Sequence, residues 1–204
     1  MGIGFPGTAN EVVQASRTWW SHHGLKFPAA ASQATAPMAL TEGQSAFAFP
    51  AVEQQRAQRD EIAALGSYGG AVSVVDELVP EVTGRPDGSY LIILDDEIAH
   101  WSRGLTAPAL SRALREHDRT GLSALEYLIL QRRSFEIFGD HRFDDYTATL
   151  SGWTWLPAST SGPLHAMAYY YDKTDRVEIS ACKSGSKNPR KGAYTVQVIP
   201  LSAT

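Results

Sequence analysis

Two short stretches gather the side chains that could carry acid–base or metal chemistry. Asp95, Asp96, Glu97 and His100 follow the apolar run Tyr90 to Leu94, and Asp140, His141, Asp144 and Asp145 sit in the polar segment FGDHRFDDY. Carboxylate oxygens and imidazole nitrogens are the donors that divalent cations take, and a carboxylate beside a histidine can move a proton. If the two stretches meet, Asp95, Asp96, His100, Asp140, His141 and Asp144 make the candidate site of a metal-assisted hydrolase. The spacing matches no HExxH, paired CxxC or EF-hand loop, so the sequence specifies no metal. The competing reading is a pair of solvated turns in which an aspartate caps the next segment.

Nucleophiles are no better organised. Ser, His and Asp are present without a GxSxG elbow. The single cysteine, Cys182, cannot close an internal disulfide, and its neighbours Ile179, Ser180 and Ala181 suggest a buried structural thiol in a strand. Lys183, Lys187, Arg190 and Lys191 form a basic loop with Gly185, Asn188 and Pro189. It lacks the GxxxxGK[ST] spacing and a following helix, and reads as solvated. The chain therefore reads as a non-enzyme with no cofactor.

Aromatic residues offer recognition instead. Trp19 and Trp20 end the first amphipathic segment, Trp153 and Trp155 share a strand face at i and i+2, and Tyr169 and Tyr171 do the same further on. Such rings stack on ligands or fill a partner's surface, and they equally fill the space between a sheet and a helix. The adjacent His22 and His23 point about 100° apart on a helix and cannot share one ion unaided.

The elements that must hold these residues follow from pattern. The run RTGLSALEYLILQRRSFEIFG carries a capping box, Ser123 with Glu126, and then Leu122, Leu125, Leu128 and Ile129 at helical spacing, which predicts a mostly buried helix. Thr8 with Glu11 opens an earlier helix that Gly24 stops. Residues 26–45, rich in Ala, Pro, Ser, Thr and Gln, read as a linker, so residues 1–45 are expected to be an N-terminal helix and arm docked on residues 46–204 or exchanged with a partner. A helix is predicted from Pro50 to Gly66, a central buried strand over Tyr90 to Leu94, and a helix after Thr106 paired with the capped one. YTATLSGWTWL, LHAMAYYY, RVEISACK and AYTVQVIPL then read as a C-terminal antiparallel sheet. In LHAMAYYY, Ala166, Ala168 and Tyr170 fall on one face and His165, Met167, Tyr169 and Tyr171 on the other. The fold class is α+β, helices packed on a mainly antiparallel sheet.

Composition bounds the rest. With 204 residues, 43% hydrophobic and 20% charged, the chain can bury a single core without staples. A net charge of −4 makes nucleic acid an unlikely partner. No apolar run nears the roughly 18 residues of a membrane span, so no membrane partner is expected, and MGIGFPGTANEV lacks a secretory pattern, so the expected location is the cytoplasm.

The succession YLIILDD, RTGLSALEYLIL, SFEIF and aromatic strands, over roughly residues 89–200, resembles a family of bacterial domains of unknown function common in actinobacteria. Its members carry a strand of the type PYLLVDVD, then R-x-P-L-T-x-x-E-G-I-A-L, a Y-P-E-x-L segment and a Trp-rich antiparallel end. Here Tyr127 replaces the usual glycine, Ser134 and Phe135 replace Tyr-Pro, and the last strands are Tyr-rich. The resemblance implies architecture and transfers no activity. Residue by residue, the sequence points first to a binding or accessory protein that holds a protein partner, or self-associates, through the N-terminal arm or the aromatic sheet, and second to the metal-assisted hydrolase.

Overall fold

Both long helices begin where the capping boxes place them. Ser123 Oγ accepts the Glu126 N–H at 3.3 Å while Glu126 Oε2 accepts the Ser123 N–H at 2.7 Å, and the helix stops at Gly139 with φ at 70°. Thr8 and Glu11 do the same for the first helix. The computed structural model describes residues 3–29, 31–34, 38–65, 73–74, 80–82, 84–95, 97–141, 143, 147–150, 153–155, 164–171, 173, 176–183, 185 and 187–203. In chain order the elements are α1 (Ala9–His22), β1 (Ala31–Ala34), β2 (Gln44–Phe49), α2 (Val52–Arg56), α3 (Arg59–Leu65), β3 (Ser73–Val74), β4 (Pro80–Val82) and β5 (Tyr90–Asp95). A 3-10 turn at His100–Ser102 leads to α4 (Ala107–Glu116), β6 (Thr120–Gly121), α5 (Ala124–Phe138), β7 (Thr147–Thr149), β8 (Trp153–Trp155), β9 (Leu164–Tyr171), β10 (Arg176–Lys183), β11 (Lys191–Gly192) and β12 (Thr195–Ala203). The fold is α+β.

The first sheet has the order β1-β12-β5-β2, with β6 extending it beside β12, and every pairing is antiparallel. The strand over Tyr90 to Leu94 is central, as its unbroken apolar run predicts, because both faces are covered. Tyr90, Ile92 and Leu94 join Phe47 and Phe49 in the main core with Leu128, Ile129 and Leu130 of α5. Leu91 and Ile93 face the other way with Ala46, Ala48, Ile199 and the α1 residues Val12 and Val13.

The helix α1 crosses the free edge of β2. Ser16 Oγ accepts the Ala48 N–H at 2.9 Å, Trp20 Nε1 donates to the Ala48 carbonyl at 3.0 Å, and Phe5 exchanges both backbone bonds with Ala46. The edge strand's outward groups are thereby satisfied. Past that edge Trp19 and Trp20 reach the main core beside Phe47 and Phe49.

The second sheet runs β11-β7-β9-β10-β3, and a two-stranded pair joins β4 to β8. Ala148, Ala166, Ala168, Val177 and Ile179 point into the same core as α5, so both sheets share it. The outer face of β9 and β10 is half-buried.

Several expectations change. Residues 26–45 are not all linker, since they contain β1 and the start of β2, and residues 3–25 supply Ile3, Val12, Val13, Trp19, Trp20 and Leu25 to the buried clusters. The core is therefore not divided at residue 45. The Pro50 helix is preceded by a strand and split into α2 and α3. The last strand, β12, leaves the C-terminal sheet and inserts between β1 and β5. The helix α4 does not pair with α5. Its Leu110 and Leu114 pack with Ala193, Trp101 and Leu105, while α5 has α3 alongside it.

Candidate functional site

The most organised polar constellation is buried at the start of α5. Arg85 donates through Nε to Glu126 Oε1 and through Nη2 to Oε2, both at 2.7 Å, and Nη2 also reaches the Gly121 carbonyl at 2.8 Å. Tyr90 donates its hydroxyl to Glu126 Oε1 at 2.6 Å and accepts from Gln55 at 2.8 Å, and Gln55 also holds the Pro50 carbonyl at 2.7 Å. With the cap bond from Ser123, the Glu126 carboxylate accepts four hydrogen bonds, and the Arg85 and Glu126 side chains are 1% and 0% exposed. Burial alone would raise the Glu126 carboxyl, but the Arg85 charge and these bonds outweigh it and hold it below the usual range. Burial and the neighbouring Glu126 charge push the Tyr90 hydroxyl well up, so it stays a donor. Every group here has its partner, which makes the network a clamp joining α2, β5, β6 and α5.

A second polar knot joins α1 to the end of α5. Glu136 accepts from Trp19 Nε1 at 2.7 Å and from Arg132 Nε at 2.8 Å. His23 Nε2 lies 2.8 Å from Glu136 Oε1 but off hydrogen-bond alignment, and burial keeps its imidazole below the ordinary value, so the contact is not an ion pair at neutral pH. The His22 ring stands at 90° to that of His23, and the pair does not form a chelating set.

The acid and histidine candidates are dispersed in their bonding. Asp95 accepts from Gln44 Nε2 at 3.0 Å and Thr195 Oγ1 at 3.1 Å, which ties β5 to both neighbouring strands. His100 is exposed at the 3-10 turn. His141 stacks on Tyr170 with ring centroids 3.5 Å apart, and its Nδ1 meets Gln131 Nε2 at 2.9 Å, so Nδ1 is the acceptor and the ring is held against the sheet. Asp140 is half-buried at the end of α5. Asp96 and Asp144 lie outside the described residues. Among the described residues no three His, Cys, Asp or Glu side chains come together in a metal-binding group.

The aromatic candidates separate clearly. Trp20 is fully buried and Trp19 is 5% exposed, each with its indole N–H bonded inside the molecule, so neither presents a surface. Trp153 and Trp155 sit on β8 opposite Val82 and Pro80, and their side chains lie outside the described residues. Tyr169 and Tyr171 are half-buried on the outer face of β9. Opposite them on β10 stand Glu178 and Arg176. Tyr169 donates to Glu178 Oε2 at 2.5 Å, and Arg176 reaches Glu178 Oε1 through Nη2 at 2.8 Å. Those two bonds hold the Glu178 carboxyl below its usual range, and the Glu178 contact in turn raises the Tyr169 hydroxyl.

The other end of this face holds a cluster that residue types alone did not reveal. The register sets Cys182 opposite His165, and Lys191 of β11 brings Nζ to 2.6 Å from Cys182 Sγ. Lys191 is 8% exposed, which corrects its reading as part of a solvated loop, and Cys182 is half-buried rather than buried. Burial, and then the Lys191 charge, lower the His165 imidazole and keep it neutral, and its Nδ1 is buried without a hydrogen-bond partner. Half of this was readable: the DKTD hairpin fixes residues 165 and 182 as cross-strand neighbours on the tyrosine face. No family model, curated protein or solved structure matches the chain.

Proposed function

We propose that the chain is a non-enzymatic, cytoplasmic binding or accessory protein that holds a protein partner on the outer face of β9 and β10. One observation carries the reading: Tyr169, Glu178 and Arg176 are locked to one another in a half-exposed row beside Tyr171, while Ala166, Ala168, Val177 and Ile179 on the opposite face of the same strands are buried. Tyrosine and arginine are the residues that interfaces favour, and side chains ordered beforehand lose little freedom on binding. The indoles of α1 are consumed by the fold, which favours the sheet over the N-terminal helix as the contact surface. No helix among the described residues is long and apolar enough to cross a membrane. The metal-assisted hydrolase has less support, because Asp95 and His141 are engaged within the fold.

The test compares the parent with Tyr169→Ser/Tyr171→Ser in affinity capture from host extract and in size analysis. The expected result is a captured protein, or a dimer of this chain, that the double variant loses while its melting temperature stays near the parent's. Capture that survives both substitutions, or a parent that is monomeric and captures nothing, overturns the reading.

A further inference from the structure

The cluster of Cys182, Lys191 and His165 brings together chemistry from three strands. In the sheet order two strands, β7 and β9, lie between β11 and β10. At the usual strand spacing a flat sheet would separate the outer two by roughly 14 Å, more than a lysine and a cysteine reaching toward each other can cover. The 2.6 Å contact therefore requires the sheet to curl between β11 and β10. Cys182 is half-buried, Lys191 beside it is more than nine-tenths buried, and the imidazole opposite is neutral with a buried Nδ1 that has no hydrogen-bond partner.

A cation against a thiol favours the thiolate, which is the form that reacts with electrophiles and oxidants. The separation of nitrogen and sulfur is also the span of one oxygen atom joined to each by a single bond, so a bridge can close with little movement. We propose that Cys182 and Lys191 are a covalent modification site for a hydroperoxide, closing to a Cys–S–O–NH–Lys bridge. This assignment does not depend on the partner-binding reading.

The chemistry balances with two equivalents of peroxide. In the first, the Cys182 thiolate attacks a peroxide oxygen, the O–O bond breaks, one oxygen leaves as water and sulfur is oxidised to the sulfenic acid. In the second, the nitrogen–oxygen bond forms between Lys191 and the sulfenic oxygen, one N–H and the S–O–H proton are lost, and the second peroxide is reduced to two waters. The sum is Cys–SH + Lys–NH2 + 2 H2O2 → Cys–S–O–NH–Lys + 3 H2O. The proton that Lys191 must release first passes to solvent water, because burial and the neighbouring Lys191 charge make His165 a weaker base than free imidazole.

The full chain is treated with hydrogen peroxide and analysed by intact mass and by peptide mapping without reductant. The expected product gains one oxygen and loses two hydrogens, about 14 Da, joins the Cys182 and Lys191 peptides, and reverts with a thiol reductant. Lys191→Arg keeps a buried cation but offers no amine, and should give sulfinic or sulfonic Cys182 with no linked peptide. Cys182→Ser should give neither product. Over-oxidised Cys182 without linkage in the parent overturns the bridge, and a Cys182 untouched by peroxide in the folded protein overturns the site.

Discussion

Replacing Arg85 by methionine tests the electrostatic logic of the core, because it removes one half of a pair whose side chains are 1% and 0% exposed. The carboxylate of Glu126 would keep the bonds from Tyr90 and Ser123 and lose two from Arg85 together with its charge. Breaking a buried pair from one side costs about 3–5 kcal/mol, far above the ~0–1 kcal/mol of an exposed pair. The pH dependence should also change sign. In the parent, the Glu126 carboxyl is held low, so its contribution is complete above the unfolded value near ~4.3 and is lost as pH falls through the folded value. In the variant, burial is opposed only by the remaining bonds and the folded carboxyl rises above the unfolded one. The folded state then takes up a proton first, and stability increases on acidification by up to about 1.4 kcal/mol per pH unit between the two values. Urea unfolding at pH 5 and pH 7 reads both effects, and adding Glu126→Gln to Arg85→Met should recover part of the loss at pH 7. A loss under about 1 kcal/mol, or a variant whose stability shifts between pH 7 and pH 5 no differently from the parent's, would refute the assignment of Arg85 as the charge that holds Glu126 ionised.

Two further substitutions probe the packing. A Cβ added at Gly4 would sit 2.5 Å from the Ala46 carbonyl oxygen and 2.8 Å from its nitrogen, against backbone that cannot give way while Phe5 bonds Ala46. Gly4→Ala should cost about 1–3 kcal/mol in thermal or urea melts, and an unchanged melt would show that this segment does not lie along β2. Leu128 is 1% exposed, whereas Leu125 is only partly buried at the cluster's margin, so Leu128→Ala should cost about 2–5 kcal/mol and Leu125→Ala clearly less. Equal losses in urea unfolding would mean that α5 is rotated from its described orientation.

The features readable in the sequence are those encoded within one element. Thr8 with Glu11 and Ser123 with Glu126 place both long helices because a cap needs partners only three residues apart. The Tyr90 to Leu94 run announces a strand covered on both faces, and the alternation in LHAMAYYY assigns its two faces correctly. What escaped is non-local. The strand β2 is six residues of Gln, Ser, Ala and Phe supported by its neighbour β5, by Phe5 and by the side chains of α1, and nothing within QSAFAF requires that pairing. Glu126 reads as a capping residue, yet its partners Arg85 and Tyr90 are 41 and 36 positions away. Leu125 fits the helical stripe as well as Leu128 does, and only the packed neighbours show that Leu128 holds the centre. Lys191 looks like one more charge in a basic loop until β11 folds it over the sheet.

The two functional proposals share one surface by parity. Because the β9–β10 hairpin pairs Tyr171 with Arg176, every second position outward from the turn lies on the same face, so Tyr169 with Glu178 and His165 with Cys182 are four residues apart along it, about 13 Å. They remain separable, because no bond described at Tyr169 involves Cys182 or Lys191, and the peroxide product is read by mass whether or not a partner binds. A closed bridge would tie the end of β10 to β11 across two strands and fix the curl of the face without touching its tyrosines. Any effect of oxidation on partner capture would then act through the shape of the sheet, since the Tyr169 contacts themselves would be unchanged.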